Sequence, residues 1–375
     1  MKKIKVINVV GCRPNFIKIL PIMNEMNKHQ EQFKQILVHT GQHYDGAMSK
    51  TLFEDIYLPQ PDVYLGIGSG AHAEQTAKIM IEFEKVCIDK KPDLVLVVGD
   101  VNSTLACSLT AAKLCIPIAH VEAGLRSFDR SMPEEINRIV TDSLSSFLFT
   151  TCRDADKNLK REGISGKKIY FVGNIMIDTL IKFKAKAAAN TWKKMKNIDY
   201  VLLTLHRPNN VDDKHALENI LEALHEISKR MPIIFPAHPR TQKQIKVFGY
   251  EKYFRPFDLK QINFINSKNL INLTNPLPYL EFLNLMINAK FVLTDSGGVQ
   301  EETTFLGISC LTIRESTERP ITVAEGTNIL VGTDKERIIN ESLKIISGRG
   351  KMGKVPKFWD GKTAKRIVNI FKKTL

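Results

Sequence analysis

Several features that would assign a chain to other classes of protein are missing from this sequence. No apolar run approaches the roughly 18 to 20 residues that a membrane-spanning helix needs. The start, MKKIKVINVVGCRPNF, is typical of a strand and turn and has no signal cleavage site. The six cysteines form no C-x-x-C or Cys/His pattern, which argues against a disulfide framework and a metal site. We therefore expect a cytoplasmic protein that has no membrane partner and binds no metal.

Two further signatures are absent. The first predicted strand turns into a helix through VVGCRPNFIK without a G-x-G-x-x-G fingerprint, so no nicotinamide cofactor is expected. The formal charge of +14 would suit a nucleic-acid binder, but the lysines are spread along the chain and no nucleic-acid motif accompanies them. We expect a basic surface that partly faces anionic phosphates, no nucleic-acid partner and no cofactor.

The pattern that is present alternates short apolar runs with amphipathic stretches, which is typical of βα units that wind a parallel sheet. The first half predicts the strands KVINVVG, QILVHT, DLVLVVGD, IPIAHVE, FLFTT and IYFVGN. A lysine- and alanine-rich stretch at 182–197 interrupts this rhythm. The rhythm then restarts with YVLLTLHR, PIIFPAHP, LINLTN, KFVLTDS and SCLTIR.

A chain of 375 residues is also longer than one hydrophobic core usually takes. We predict an α/β protein with two Rossmann-like, doubly wound domains, at residues 1–178 and 179–358, followed by a last helix at 359–375 that packs back on the first domain. The carboxyl ends of both sheets would border one cleft, where ligands of such folds bind.

Acidic side chains follow predicted strands in the first half. Asp100 and Glu122 end two consecutive strands, so both are expected at the same edge of the sheet. Either could instead serve local structure, as a helix cap or a loop acceptor. Glu134 opens the helix PEEINRIVTDSLSS, where Ser131 and Glu134 also fit the S-x-x-E capping box. Spacing alone favours capping for Glu134.

Basic and glycine-rich turns occupy comparable positions. Arg126 lies in the loop AGLRSFDR, a sensible place for substrate contacts. His206 and His238 end two strands of the second half and would either pair with a pyrophosphate or remain neutral. The segment TDSGGVQEE opens a helix whose N-terminal amides could hold a phosphate, although a glycine pair is often only a tight turn. Glu302 on that helix could bind ribose hydroxyls or be a solvated acid.

Taken together, the motifs resemble one known family. They are GCRPNFIK, HTGQHYD, KPDLVLVVGDVNST, IPIAHVEAGLRS, MPEEINR, FVGN, LTLHRPNN, AHPRT, TDSGGVQEE and TERP. In this order they resemble the non-hydrolysing UDP-N-acetylglucosamine 2-epimerases. The resemblance implies the B-type glycosyltransferase arrangement with an interdomain cleft, a UDP-binding second domain and a homodimer. It also implies reversible conversion of UDP-GlcNAc to UDP-ManNAc without metal or nicotinamide.

The resemblance also implies roles for individual residues. The catalytic residues would be Asp100, Glu122, Glu134 and His206. The substrate contacts would be Arg13, Lys18, Arg126, Arg138, His238, Ser296, Gly297, Gly298, Glu302 and Arg319. Activation by the substrate would involve Gln42, His43, Arg207 and His238.

Three motifs depart from the family pattern, namely Gly11–Asn15, Val101–Thr104 and Leu205–Asn209. Because these positions touch the substrate in the family, the motifs leave the identity of the sugar undetermined. One alternative is a 2-epimerase of a UDP-2,3-diacetamido uronic acid, and another is a hydrolysing epimerase. A retaining glycosyltransferase on the same fold and a non-catalytic nucleotide-sugar sensor are further alternatives.

The chemistry of such an epimerase sets clear demands. The C2 proton of the sugar is not beside a carbonyl, so UDP must leave C1 before loss of that proton gives a glycal. UDP then returns to C1 while a proton is added to the other face of C2. The reaction needs an acid or base on each face and donors at the pyrophosphate. We expect Asp100 and Glu134 to carry the proton steps and Glu122 either to support the positive charge or to orient a partner.

Overall fold

The computed structural model describes residues 3–42, 59–189, 198–258 and 269–375. The chain divides into two compact units, of which the first combines Met1–Lys182 with Lys357–Leu375 and the second is Phe183–Pro356. We predicted that the first domain ends at residue 178 and the second at residue 358. The first boundary falls later because the helix Ile175–Ala189 continues into the lysine-rich stretch that we expected to interrupt the fold.

Within the described residues, the first unit contains a parallel seven-stranded sheet in the order β3-β2-β1-β4-β5-β6-β7. Its strands are β1 Ile4–Val10, β2 Phe33–His39, β3 Val63–Tyr64, β4 Leu94–Val98, β5 Ile118–Ala123, β6 Phe147–Thr150 and β7 Ile169–Phe171. Its helices are α1 Arg13–Met26, α2 His72–Lys90, α3 Asn102–Lys113, α4 Pro133–Leu144, α5 Arg153–Arg161, α6 Ile175–Ala189, which continues into the second unit, and the last helix of the chain, Thr363–Thr374.

The second unit repeats this architecture, with the strand order β10-β11-β9-β8-β12-β13-β14 over its described residues. Its strands are β8 Val201–Thr204, β9 Ile233–Pro236, β10 Phe254–Pro256, β11 Ile271–Thr274, β12 Phe291–Thr294, β13 Ser309–Thr312 and β14 Asn328–Leu330. Its helices are α7 Pro208–Val211, α8 Lys214–Ser228, α9 Pro239–Val247, α10 Tyr279–Asn288, α11 Gly297–Leu306, α12 Pro320–Ala324 and α13 Lys335–Ile346. The last helix of the chain is therefore α14.

The central strands are apolar on both faces because helices cover both sides of each sheet. All five residues of β4 and all four of β12 are buried. Each large aliphatic side chain that is buried in this way contributes about 1.5–3 kcal/mol to folding. This uninterrupted apolar pattern is what the sequence analysis used to predict strands, and the two Rossmann-like units that it predicted are confirmed.

The carboxyl-terminal segment completes the core of the first unit. Phe371 on α14 makes edge-on ring contacts with Phe147 and Phe149, at centroid distances of 5.7 and 5.4 Å. Trp359 is buried and donates its indole N–H to the carbonyl of Thr151 at 3.2 Å.

The described residues contain no helix with the length and apolar character needed to span a bilayer.

Candidate active site

In the first unit the site begins at the turns that follow β1 and β4, which are neighbours at the point where the sheet changes its winding direction. Parallel sheets open a crevice at such a point. Asn15 accepts hydrogen bonds from the amides of Gly11 and Cys12 at 3.0 and 3.2 Å. Its side-chain amide donates to the carbonyl of Val98 at 3.0 Å and so joins the two turns. Burial raises the pKa of the Cys12 thiol to about 11, which keeps this thiol protonated.

Lys18 and Glu122 form a buried ion pair beside the end of β4, with 2.5 Å between Nζ and Oε2. Glu122 has a φ of +73° where the pairing of β5 with β6 shifts register. A bulge with left-handed backbone at a non-glycine residue is unusual inside a strand and redirects the side chain. Gly99 is the neighbour, and a Cβ there would lie 3.2 Å from Nζ of Lys18. Glycine thus leaves room for the lysine to reach the carboxylate.

Asp100 is partly exposed and is ion-paired with a buried arginine. Nη1 of Arg138 lies 2.5 Å from Oδ2 of Asp100. Nε and Nη2 of the same guanidinium donate to Oε2 of Glu135 at 2.9 and 2.5 Å. Glu135 also accepts the backbone amides of Ser127 and Phe128, both at 3.0 Å. Arg138 is therefore held in place by a buried carboxylate while it binds Asp100.

A fully buried histidine lies behind the end of β4. Nδ1 of His120 is 2.6 Å from Oδ1 of Asp142, and its Nε2 is 2.8 Å from the carbonyl oxygen of Gly99. Burial acts to raise the pKa of Asp142, but His120 and Arg126 outweigh it and hold the pKa below its ordinary value. Arg126 contacts Asp142 at 2.8 Å and binds Glu162 through two bonds of 2.8 and 2.6 Å. We expected the guanidinium of Arg126 to contact the substrate. It is buried and links the loop that follows β5 to Asp142 and Glu162.

The start of α4 differs from the predicted capping box. Its N-cap is Met132, and no side chain caps the helix. The hydroxyl of Ser131 instead donates to Oδ1 of Asp129 at 2.6 Å. Glu134 is half-buried in the first turn of α4 and takes no part in a cap. The capping interpretation is therefore wrong, because the hydroxyl of Ser131 is hydrogen-bonded to Asp129 in the loop and does not cap α4.

The residues predicted for activation by the substrate are only partly described. Oε1 of Gln42 accepts from the amide and the hydroxyl of Ser103 at 2.9 and 2.6 Å, so Gln42 satisfies an amide of the first turn of α3. His43 lies outside the described residues. Arg13, which we expected to contact the substrate, is the first residue of α1 and is half-buried. An activating role for Gln42 and His43 stays a prediction.

In the second unit, β8 and β12 are neighbours at the equivalent change of winding direction. Nδ1 of His206, which follows β8, lies 2.8 Å from Oδ1 of Asp295, which follows β12. The histidine side chain is 49% exposed, whereas the aspartate is fully buried. Burial acts to lower the pKa of His206, but the charge of Asp295 outweighs it and raises the pKa. A protonated imidazole with one side open to solvent can donate to an anionic ligand.

Helix α11 begins at the predicted glycine turn, with Ser296 as its N-cap. A Cβ at Gly297 would lie 2.6 Å from Oε1 of Glu318 and 2.8 Å from Nε of Arg319, so glycine leaves room for these two side chains beside the helix start. Arg319 is buried and pairs with Glu301 at 2.5 Å. The arginine expected to contact substrate is thus anchored beside the helix N-terminus, where backbone amides suit a phosphate.

Two more arginines lie near this turn. Nη1 of Arg314 is 2.8 Å from Glu318, and Nη2 of Arg207 is 3.7 Å from the same carboxylate. Nε of Arg207 also donates to the carbonyl of Asp295 at 3.2 Å. Burial lowers the pKa of Arg314 from its ordinary value. The edge of this sheet therefore places three arginines, each paired with a carboxylate, where their N–H groups could also meet a pyrophosphate.

Two predicted contacts have local partners. Glu302 is buried and accepts from the hydroxyl of Tyr279 at 2.9 Å, so it is not a solvated acid. His238 is exposed at the N-cap of α9, where its Nδ1 accepts the amide of Arg240 at 3.2 Å. His238 thus caps a helix whether or not it also binds a ligand.

Comparisons with known proteins decide the family. A family profile described as UDP-N-acetylglucosamine 2-epimerase matches residues 24–372. The UDP-N-acetylglucosamine 2-epimerase of Methanocaldococcus jannaschii is 47% identical over 370 residues, which cover 96% of this chain and 97% of the relative. The chain belongs to the UDP-N-acetylglucosamine 2-epimerase family.

Other members of this family are similar over their whole length. The UDP-2,3-diacetamido-2,3-dideoxy-D-glucuronate 2-epimerase of Pseudomonas aeruginosa is 40% identical over 98% of this chain and 99% of its own. A crystal structure of the M. jannaschii enzyme in complex with UDP-GlcNAc and UDP has a TM-score of 0.88 at 45% identity and covers 99% of this chain and 100% of that one. The Neisseria meningitidis enzyme bound to UDP-GlcNAc has a TM-score of 0.86 at 31% identity, over 99% of this chain and 100% of that one.

Several residues of this epimerase fold were missed by sequence reasoning. Asp295 directly follows β12 and Arg314 comes two residues after β13, so the strand-end rule that selected Asp100 would also have found them. His120 and Asp142 gave no such signal, because one lies inside an apolar strand and the other is 22 residues away on a helix.

Proposed function

We propose that this chain is a UDP-N-acetylglucosamine 2-epimerase that interconverts UDP-GlcNAc and UDP-ManNAc. The observation that carries the proposal is the similarity, over nearly the whole chain, to a relative of that name whose crystal structure holds UDP-GlcNAc and UDP. The two groups of side chains described above supply what the chemistry demands, because acids gather in the first unit and cationic donors in the second.

The acids of the first unit act on the sugar. Asp100 and Glu134 carry the proton steps at C2, one for each face. Glu122 stands beside the developing positive charge at C1, and its pairing with Lys18 at 2.5 Å supports a fixed orientation of this carboxylate. Arg138 binds Asp100 at 2.5 Å and orients it in the same way. A positioned acid or base of this kind accelerates proton transfer about 10²- to 10⁴-fold.

The second unit binds the leaving group. The amides at the start of α11, between Ser296 and Gly298, hold a phosphate, and His206 donates to the pyrophosphate. The raised pKa of His206 supports this role because it keeps the imidazole protonated. The UDP remains bound while the glycal forms and then returns to C1, so the product is UDP-ManNAc and the reaction is not a hydrolysis.

The experiment is proton NMR of UDP-GlcNAc that is incubated with the protein in deuterated water. We expect UDP-ManNAc to form and deuterium to enter C2 of both epimers. Free ManNAc and UDP would show hydrolysis instead. Tight UDP binding with an unchanged spectrum would contradict catalysis on this sugar and would favour a sensor.

The 40% identity with the P. aeruginosa enzyme supports a second candidate substrate, a UDP-2,3-diacetamido uronic acid. The same NMR assay distinguishes the two, because each sugar is supplied alone and C2 exchange is followed. The preferred substrate is the one with the larger kcat/KM.

The protein acts as a homodimer in the cytoplasm. The family resemblance supports the dimer, and the six free cysteines support a reducing compartment. Light scattering coupled to gel filtration should give twice the chain mass of 42.5 kDa, and a single-chain mass would contradict the dimer. Cell fractionation tests the compartment.

A further inference from the structure

Within the described residues, His120 and Asp142 have no side-chain contact with Asp100, Glu122 or Glu134, and His120 instead contacts the backbone next to Asp100. Nε2 of His120 contacts the carbonyl oxygen of Gly99 at 2.8 Å. That oxygen belongs to the peptide that links Gly99 to Asp100. A hydrogen bond at this position therefore restrains the peptide plane from which the proposed acid or base extends.

The hydrogen-bond partners define the protons on the imidazole. The carbonyl of Gly99 can only accept, so Nε2 carries a proton. The carboxylate of Asp142 also receives Arg126 at 2.8 Å and the amide of Gly124 at 3.0 Å, and it is an acceptor as well. Nδ1 of His120 thus faces a carboxylate while Nε2 faces a carbonyl, and the two contacts fix the orientation of the ring. Arg126 also pairs with the partly exposed Glu162 at 2.6 Å, so the contacts of the buried pair extend to the surface.

The same helix, α4, binds Asp100 at two further points. Asn137 donates to the backbone carbonyl of Asp100 at 2.8 Å, and Arg138 binds its carboxylate at 2.5 Å. Asp142 lies on α4 as well, and so does Glu134, the other proposed proton carrier. Asp100 is thus tied to the helix that carries Glu134 through its carboxylate, its own carbonyl and the peptide before it.

We propose that His120 and Asp142 are positioning residues that hold Asp100 in register with Glu134 on helix α4. This inference rests on the proposed function, in which these two acids act on opposite faces of one carbon. Because two proton carriers must reach the same atom, a displacement of about 1 Å can lower the rate about 100-fold.

The test compares His120→Gln and Asp142→Asn with a matched control, Asp156→Asn. Asp156 is a buried aspartate on α5 of the same unit, where it accepts from Thr150 at 2.5 Å and from Arg153 at 2.8 Å. We expect both positioning variants to lower kcat about 10- to 100-fold, while KM and the Kd of UDP stay close to wild type. The control should lose stability and keep its kcat.

Equal kcat losses in control and positioning variants that are equally destabilised would overturn the proposal, and so would an unchanged kcat. Two NMR readouts do not depend on turnover. Nε2 of His120, assigned with His120→Gln, should carry a proton that is hydrogen-bonded to a carbonyl, and an Nε2 without a proton contradicts the proposal. The guanidinium signals of Arg138 should shift in Asp142→Asn and not in Asp156→Asn, and the opposite result contradicts it. If wild type leaves C2 unexchanged, the proposed function fails while these readouts still decide the positioning.

Discussion

Each unit pairs a histidine with an aspartate beside the central strands of its sheet, but the two pairs differ in exposure. His120 and Asp142 are both fully buried, and each ring nitrogen of the histidine has a protein partner. His206 is 49% exposed, although its partner Asp295 is fully buried. The same two residue types therefore support different tasks. A histidine whose nitrogens are both engaged can hold a backbone, whereas one with an open side can also meet a ligand.

The charges around the two pairs differ in the same direction. The first unit places the carboxylates of Asp100 and Glu122 at the sheet edge, each with a buried cation behind it. The second unit places His206 and Arg207 there, with buried Asp295 behind them. In two of these pairs, Asp100 with Arg138 and His206 with Asp295, a buried partner orients a more exposed group of opposite sign, whereas Glu122 and Lys18 are both buried. The predicted division into proton transfer and UDP binding follows from this contrast.

The largest expected effect separates these two tasks. Asp100→Asn should reduce turnover and C2 deuterium exchange by about 10²- to 10⁴-fold, because the amide cannot take up a proton. UDP binding should stay close to wild type. His206→Asn should show the reverse emphasis, with weaker UDP binding. Steady-state kinetics and calorimetric titration with UDP measure both. Asp100→Asn with full activity would remove this residue from the mechanism.

The next effect concerns stability. Lys18→Met should lower the free energy of unfolding by about 3–5 kcal/mol, because it removes the ammonium that lies 2.5 Å from the buried carboxylate of Glu122. The double variant Lys18→Met/Glu122→Gln should recover part of the loss, since the charge is then gone. Urea denaturation of both variants measures the difference. A single variant as stable as wild type would mean that water reaches Glu122 and screens it.

A pH dependence tests the exposed pair. The pKa of His206 lies above its ordinary 6.5, so the imidazolium persists into the neutral range and is lost only as the pH rises through that higher value. UDP affinity should therefore fall as the pH rises through it, by about tenfold for one charge-assisted hydrogen bond. Calorimetric titration with UDP over a range of pH follows the fall.

His206→Asn is the control for this pH dependence. It should abolish the fall in UDP affinity and leave only the titration of the terminal phosphate of UDP, at about pH 6. Asp295→Asn should move the inflection to lower pH, since burial then acts on His206 without the opposing charge. An inflection that stays in place in Asp295→Asn would assign it to another group.

Strand-end reasoning worked where a side chain directly follows a long apolar strand. It predicted eleven of the strands in the described residues and selected Asp100, Glu122 and His206 for inspection. It missed β3, β10 and β14, which have only two or three residues and so carry too short a pattern. Strand existence follows from local composition, but short edge strands depend on a neighbour.

The partners of the selected residues were beyond sequence reasoning. Arg138 lies 38 residues from Asp100, and Glu122 lies 104 residues from Lys18. For Glu134 a local motif was misleading. The motif predicted a capping box with Ser131, but the hydroxyl of Ser131 is hydrogen-bonded to Asp129 instead. Pairings across a fold are set by topology, which no local pattern contains.

The smallest expected effect concerns His238, the second of the two histidines that follow strands of the second unit. Its Nδ1 caps α9, so His238→Asn, which preserves a capping acceptor, should change the free energy of unfolding by less than about 0.5 kcal/mol. His238→Leu has no acceptor and should cost about 1 kcal/mol. Thermal unfolding compares the two. If His238→Asn keeps its stability but binds UDP more weakly, His238 joins His206 as a ligand-facing histidine; if UDP binding is unchanged, the cap is its whole role.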